Sequence, residues 1–198
     1  MAENPAAAAA AAGKNASPRP GVSFWDLDSA HSHAGFSIRH MMIANVRGEF
    51  TRLAGSVELD EKDPTCSSVH AAVEVASINT READRDGHLR SGDFFDATRF
   101  PKIIFQSKSI ARDASGRFTL TGDLTIRDAT RAISLAVEEM TPQRRDPWGK
   151  LRFGVSARGQ LNRKEFGLAW NAAIEGGGLL VGEQVNLSIE AEFVKREG

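Results

Sequence analysis

The sequence has one cysteine, almost no net charge and no long apolar run, and each shortage removes a class of protein. Cys66 alone cannot form an intrachain disulfide. It follows Asp63-Pro64-Thr65, which places it at a strand entrance, and with no His motif close by no reactive role is expected. Lys and Arg (25) nearly cancel Asp and Glu (26), leaving a formal charge of −1. Proteins whose main partner is a polyanion rely on clustered positive charge, so no nucleic-acid partner is expected. The pair Arg144-Arg145 stands beside Asp146 and reads as a solvated loop.

The most uniform apolar stretch, Ala6 to Ala12, contains no Leu, Val or Phe and falls far short of the roughly 20 residues that span a bilayer. No transmembrane segment is expected. Glu3 stands where a secretory signal needs Lys or Arg, so no export signal is visible and the expected location is the cytoplasm. With the following Gly13 to Pro20, the whole stretch 1–20 has linker composition and reads as a disordered Ala/Pro-rich tail before a domain over 21–198. Catalytic signatures are missing too. There is no G-x-S-x-G elbow, P-loop, H-E-x-x-H or C-x-x-C. Gly176-Gly177-Gly178 lacks a following Lys-Ser/Thr and reads as a flexible loop.

What is present, from Val22 onward, is alternation with a period of two, the mark of strands with one buried face. Phe118, Leu120, Leu124 and Ile126 point one way, with Gly122 among them, while Thr119, Thr121, Asp123 and Thr125 point the other. Val69 to Val75, Ile133 to Val137, Leu151 to Leu161 and Val185 to Phe193 repeat the pattern. Asp60 to Pro64, Asp113 to Gly116 and Asp128-Ala129-Thr130 supply short turns of the kind that join antiparallel neighbours. About eight such runs suggest a sandwich or barrel, and closure is favoured because it removes edge strands. The predicted fold is therefore all-β, an eight-stranded antiparallel barrel. Inward positions that mix Phe with Gly and Ala are expected to leave space for a ligand.

One segment breaks the pattern. Asn79-Thr80-Arg81-Glu82 resembles a capping box, and a short helix is predicted near residues 80–91, although Gly87 weakens it by about 1 kcal/mol relative to Ala. It reads either as a plug at a barrel end or as an ordinary crossover. Arg85 and His88 on it are candidates to meet a polar head group; the plainer reading is an Arg85–Asp86 pair that pins the helix to the barrel. His31, His33, His40 and His88 with Asp86 could form a metal set only by converging from distant segments, so no metal ligand and no catalytic residue is assigned. The candidate ligand wall comprises Phe36, Ile38, Phe50, Val73, Arg85, His88, Phe95, Phe105, Leu124, Phe153, Phe166 and Trp170.

A set of short motifs then runs through the domain in order. They are Trp25-Asp26-Leu27-Asp28 with His31-Ser32, Phe36 to Met42, Val46 to Phe50 with Gly55, Thr80, Arg85 to Ser91, Asp93 to Asp96, Phe100-Pro101, Gly122 to Ile126, Asn162 to Gly167 and Gly182 to Val185. From about Trp25 to Phe193 the chain resembles the YceI-like family of polyisoprenoid-binding, lipocalin-like barrels. The resemblance implies an apolar tunnel holding an isoprenoid or quinone-like lipid, binding without catalysis, no other cofactor, and often a homodimer. Two departures stand out: no export signal is visible, whereas many relatives are exported, and Asp128 follows Arg127 where the family pattern usually has Gly-Val. Two alternatives remain, a His-dependent or metal-dependent barrel enzyme and a stress-related interaction module with a filled core.

Overall fold

A period of two puts every second side chain on one face of a sheet, and in this chain the face so formed is apolar. The structure, a computed structural model, describes residues 20–173 and 179–197. Apart from Pro20, the expected tail lies outside the described residues, as does the Gly176–Gly178 loop.

Twelve strands form one sheet: β1 (Val22–Leu27), β2 (His33–His40), β3 (Ala44–Phe50), β4 (Leu53–Asp60), β5 (Ser68–Glu74), β6 (Ile78–Asn79), β7 (Lys102–Arg112), β8 (Phe118–Ile126), β9 (Ala129–Met140), β10 (Arg144–Arg145), β11 (Leu151–Asn162) and β12 (Val181–Lys195). Eight of them close a ring in the order β12, β1, β4, β5, β7, β8, β9, β11, and β11 returns to β12. The ring pairings are antiparallel, and the return of β11 to β12 closes the ring. Register shifts between Ser107 and Ser109 in β7 and between Ser156 and Ala157 in β11 mark irregularities of the bulge type that curve strands.

β12 is long enough to serve two neighbours on one side. Phe193 to Lys195 pair with β1, and Val181 to Glu190 pair with β2. β2, β3 and β6 thus continue from β12 as a flap beside the ring. The turn between β8 and β9 is shorter than its sequence suggested. Only Arg127 and Asp128 lie outside the strands, with Arg127 at φ +57°, and Ala129-Thr130 already belong to β9.

The helix α1 (Ala83–Arg90) links β6 to the turns before β7. Its N-cap is Glu82, whose carboxylate accepts from the Asp84 and Arg85 N–H groups, so the capping box expected from Asn79 and Thr80 is not used. Arg90 fastens the helix to the barrel by donating to the carbonyls of Ala76 and Ile78. Around it the apolar face forms two buried clusters. One holds Val75, Phe105, Leu124, Leu161 and Phe166 in the half near α1; the other holds Trp25, Val57, Phe153 and Phe193 in the far half. Trp25 is wholly buried, and its Nε1–H is satisfied by Ser23 Oγ at 2.7 Å.

Candidate functional site

Inside the ring lies a cavity of about 690 Å³. It runs from α1, where Arg85, His88 and Trp170 line it, to Ile110, Phe118 and Met140 at the far end. Nearly all of the wall is aliphatic or phenyl. Its volume falls within the roughly 300–1,000 Å³ of small-molecule pockets, and an apolar wall of this kind has little to offer a polar ligand. At the helix end the wall includes the exposed side chains of Arg39 and Asp84, so the cavity opens to solvent there. A second recess of about 940 Å³ lies on the outer face, lined by Ser37, Arg158, Gln160 and Asn186. It is polar and open to solvent, so the enclosed cavity is the better candidate despite the smaller figure.

Of the twelve candidate wall residues, eleven face this cavity. Phe36, Ile38 and Phe50 come from the flap, Val73 and Phe105 from β5 and β7, Leu124 and Phe153 from β8 and β11. Arg85, His88, Phe95 and Trp170 close the helix end. Phe166 is the exception. Asn162 Oδ1 accepts from the Lys164 N–H and ends β11, and a 3-10 turn over Arg163–Phe166 swings the ring into the core, where it is fully buried and off the wall. Aromatic character alone singles out position 166, and it does not separate the core from the cavity wall. Strand alternation did mark Leu135, Leu161, Leu187 and Ile189, which line the cavity without having been singled out.

Small residues do line the cavity, Gly35 and Gly55 among them, but at Gly48 and Gly122 the space beside the backbone is taken by a phenyl ring. A Cβ at Gly48 would lie 2.4 Å from Phe36 Cζ, and one at Gly122 would lie 2.5 Å from Phe105 Cζ. The rings fill the glycine positions by lying along the wall, which keeps them out of the lumen.

Polar groups gather at the helix end. Arg85 and Asp86 do not bond each other; they meet through Thr80. The Thr80 N–H and Oγ1 donate to Asp86 Oδ1 at 2.9 and 2.6 Å. Thr80 Oγ1 accepts from Arg85 Nε at 2.7 Å, and Arg85 Nη2 donates to the Thr80 carbonyl. His88 packs edge-on against Phe94 and Trp170, with ring centroids 5.1 and 4.7 Å away, and its Nε2 lies 2.8 Å from Asp93. Arg163, only 3% exposed, is held by carbonyls: those of Gly182 and Trp170 at 2.7 and 2.8 Å, and that of Leu168. Burial pushes its pKa below the usual guanidinium value, opposed by the charge of Glu183. Its role is to tie the segment after β11 to the start of β12 at the cavity wall. Its place in the Asn162–Gly167 motif was visible in the sequence, but its burial was not.

The histidines do not converge. His31 lies before β2 and pairs with Asp28, His33 pairs with Glu49, and His88 with Asp93, while Asp86 is taken by Thr80. The described residues do bring Asp28, His31 and Glu192 within ligand distance of one another. Arg152 already fills that corner, its Nη1 lying 2.6 Å from both Asp28 and Glu192 and its Nε 2.7 Å from Asp146. A guanidinium pairs with these carboxylates where a metal ion would sit.

The family model of the YceI-like domain matches residues 25–193. The chain belongs to the YceI-like family. This YceI-like chain is 36% identical over 167 residues to a UPF0312 protein of Staphylococcus aureus, covering 84% of itself and 95% of the relative. Among solved structures it is similar to the YCEI protein of Campylobacter jejuni, with a TM-score of 0.69 and 30% identity over 86% of this chain and 97% of that one. BcnA of Burkholderia cenocepacia shares the fold at 18% identity, with a TM-score of 0.71 over 84% and 98% of the two chains. So does a polyisoprenoid binding domain from Saccharophagus degradans implicated in plant cell wall breakdown, at 13% identity and a TM-score of 0.63 over 87% and 98%. Among the described residues of the YceI-like barrel no helix is long and apolar enough to cross a membrane.

Proposed function

We propose that this protein binds and carries a long apolar lipid of the isoprenoid class, held in the barrel cavity without chemical change. The observation that carries the reading is the cavity itself: about 690 Å³ enclosed almost wholly by aliphatic and phenyl side chains. Burial gains about 0.8 kcal/mol per CH₂, so several isoprene units bind well with few polar contacts, less the cost of ordering a flexible chain. The likeness to a polyisoprenoid binding domain supports the same class of ligand. A barrel with a filled core would leave no such space. Among the described residues, the group placed to approach a metal is occupied by Arg152, which favours binding over metal-dependent catalysis.

The test is native mass spectrometry of protein purified from its own host, followed by organic extraction and by loading with prenyl lipids of graded length. A prenyl lipid at about one per chain is the expected result. A protein that emerges empty and resists loading at every length would overturn the proposal.

A further inference from the structure

The β2–β3 hairpin turns through Met41-Met42-Ile43, and its apolar side chains face solvent, with Met42 68% and Ile43 77% exposed. Leu179, also exposed, belongs to the same corner. The Met41 N–H donates to the Leu180 carbonyl at 2.8 Å, and Val181 pairs with His40. The turn is built and fixed. Met41 and Met42 both adopt left-handed backbone, at φ +50° and +58°, which disfavours side chains of this kind. Arg39 Nη2 donates to the Met42 carbonyl, and the Ile43 N–H to the His40 carbonyl, each at 2.9 Å.

The charge at the tip of this hairpin has one sign; Glu49 lies farther along β3, paired with His33, and Asp84 is the exposed acid of α1 at the cavity opening. Arg39, His40 and Arg47 lie within residues 39–47, no Asp or Glu does, and both arginines are exposed. Arg39, His40 and Leu180 also line the open end of the cavity, so the apolar tip stands directly at its entrance. Exposed apolar side chains flanked by basic ones match an anionic bilayer: the former enter the acyl boundary, the latter meet phosphate.

We infer that this hairpin docks the barrel on an anionic lipid bilayer, with Met42 and Ile43 inserted and Arg39 and Arg47 on the head groups. A lipid then passes between bilayer and cavity without exposing its chain to water. The purpose of the docking rests on the lipid-carrier reading; the docking itself is measured separately.

The experiment is co-sedimentation with vesicles of phosphatidylcholine alone and of phosphatidylcholine mixed with phosphatidylglycerol. The protein is expected to bind the mixed vesicles, more weakly at high salt, and Met42→Asp/Ile43→Asp to bind at least about tenfold more weakly. Both positions are exposed, and Asp tolerates left-handed backbone better than Met, so the variant keeps its fold. A Cys66→Ser/Ile43→Cys protein carrying an environment-sensitive dye is expected to shift its emission to the blue on the same vesicles. Equal sedimentation of variant and wild type, or no sedimentation of either, overturns the inference. So does a wild-type dimer that the variant converts to monomer without any vesicle binding, which would assign the tip to a second copy of the chain. Loading with prenyl lipid from detergent micelles involves no bilayer and is expected to be unchanged in the variant. Failure of the wild type to load there strikes the lipid-carrier reading, while the vesicle result decides docking.

Discussion

The ring of Phe105 lies across Gly122 of the neighbouring strand, so close that a Cβ at 122 would fall 2.5 Å from its Cζ and 2.4 Å from the Gln106 carbonyl oxygen. A glycine on β8 thus gives a phenyl ring on β7 a place along the wall, and the lumen stays open beside it. Gly122→Ala is expected to destabilise the barrel by about 1–3 kcal/mol by overpacking and to push the ring inward, shortening the preferred lipid. Phe105→Ala is expected to cost about 3–5 kcal/mol yet to admit longer or bulkier chains. Urea denaturation and loading with graded prenyl lipids check both, and unchanged stability in Gly122→Ala would remove the basis for the account.

Thr80 joins Arg85 to Asp86, and its hydroxyl is the shared atom. Thr80 and Asp86 are both buried, at 4% and 7% exposure, so Thr80→Val leaves a carboxylate short of a donor and a guanidinium short of an acceptor. A loss of about 1–3 kcal/mol is expected, largely restored by Thr80→Ser. The denaturation midpoints of the two variants, compared at unchanged slope, decide the matter.

Arg152 sets an acid limb on stability. Its hydrogen bond to Asp28, with that of His31 next, holds the Asp28 carboxyl down at about 2, and Asp146 is lowered by the same guanidinium. A depressed folded-state pKa stabilises above the unfolded value of about 3.9, and that contribution is lost as pH falls through the folded value. The wild type is therefore expected to lose stability between about pH 4 and pH 2. Arg152→Gln is expected to start lower near neutral pH and to change less across that window. Thermal unfolding across the range gives the answer; parallel curves for the two proteins would contradict it.

Trp170 lines the cavity, whereas Trp25 is fully buried away from it and Trp148 is 81% exposed. A lipid entering past His88 is expected to change the emission of Trp170 alone among the three. Titration of wild type and Trp170→Phe with a non-fluorescent prenyl alcohol checks this, and an undiminished signal in the variant would place the ligand elsewhere.

The wall was legible because alternation is a local property. In Phe118 to Ile126 and Val185 to Phe193 the identity of each residue fixes its face once the strand forms, and the wall positions Val73, Leu124 and Phe153 follow from that parity alone. The helix was legible in place but not in its start, since Glu82 and Thr80 are both able to cap and only the fold shows Thr80 committed to Asp86 and Arg85.

Local sequence is silent where the chain leaves the strand geometry or where partners come from far along the chain. Phe166 has the composition of a wall residue, yet a 3-10 turn fixed by Asn162 sends it into the core. Arg152 gathers Asp28, Asp146 and Glu192 across as many as 124 residues of sequence. The order of apolar and polar residues determined by itself that this chain makes antiparallel strands with one apolar face. Tertiary structure alone decided which strands meet, that Phe36 and Phe105 lie along glycines rather than across the lumen, and hence that a cavity remains. Strand formation depends on neighbours one and two residues apart, but an internal space is set by the packing of side chains from different strands.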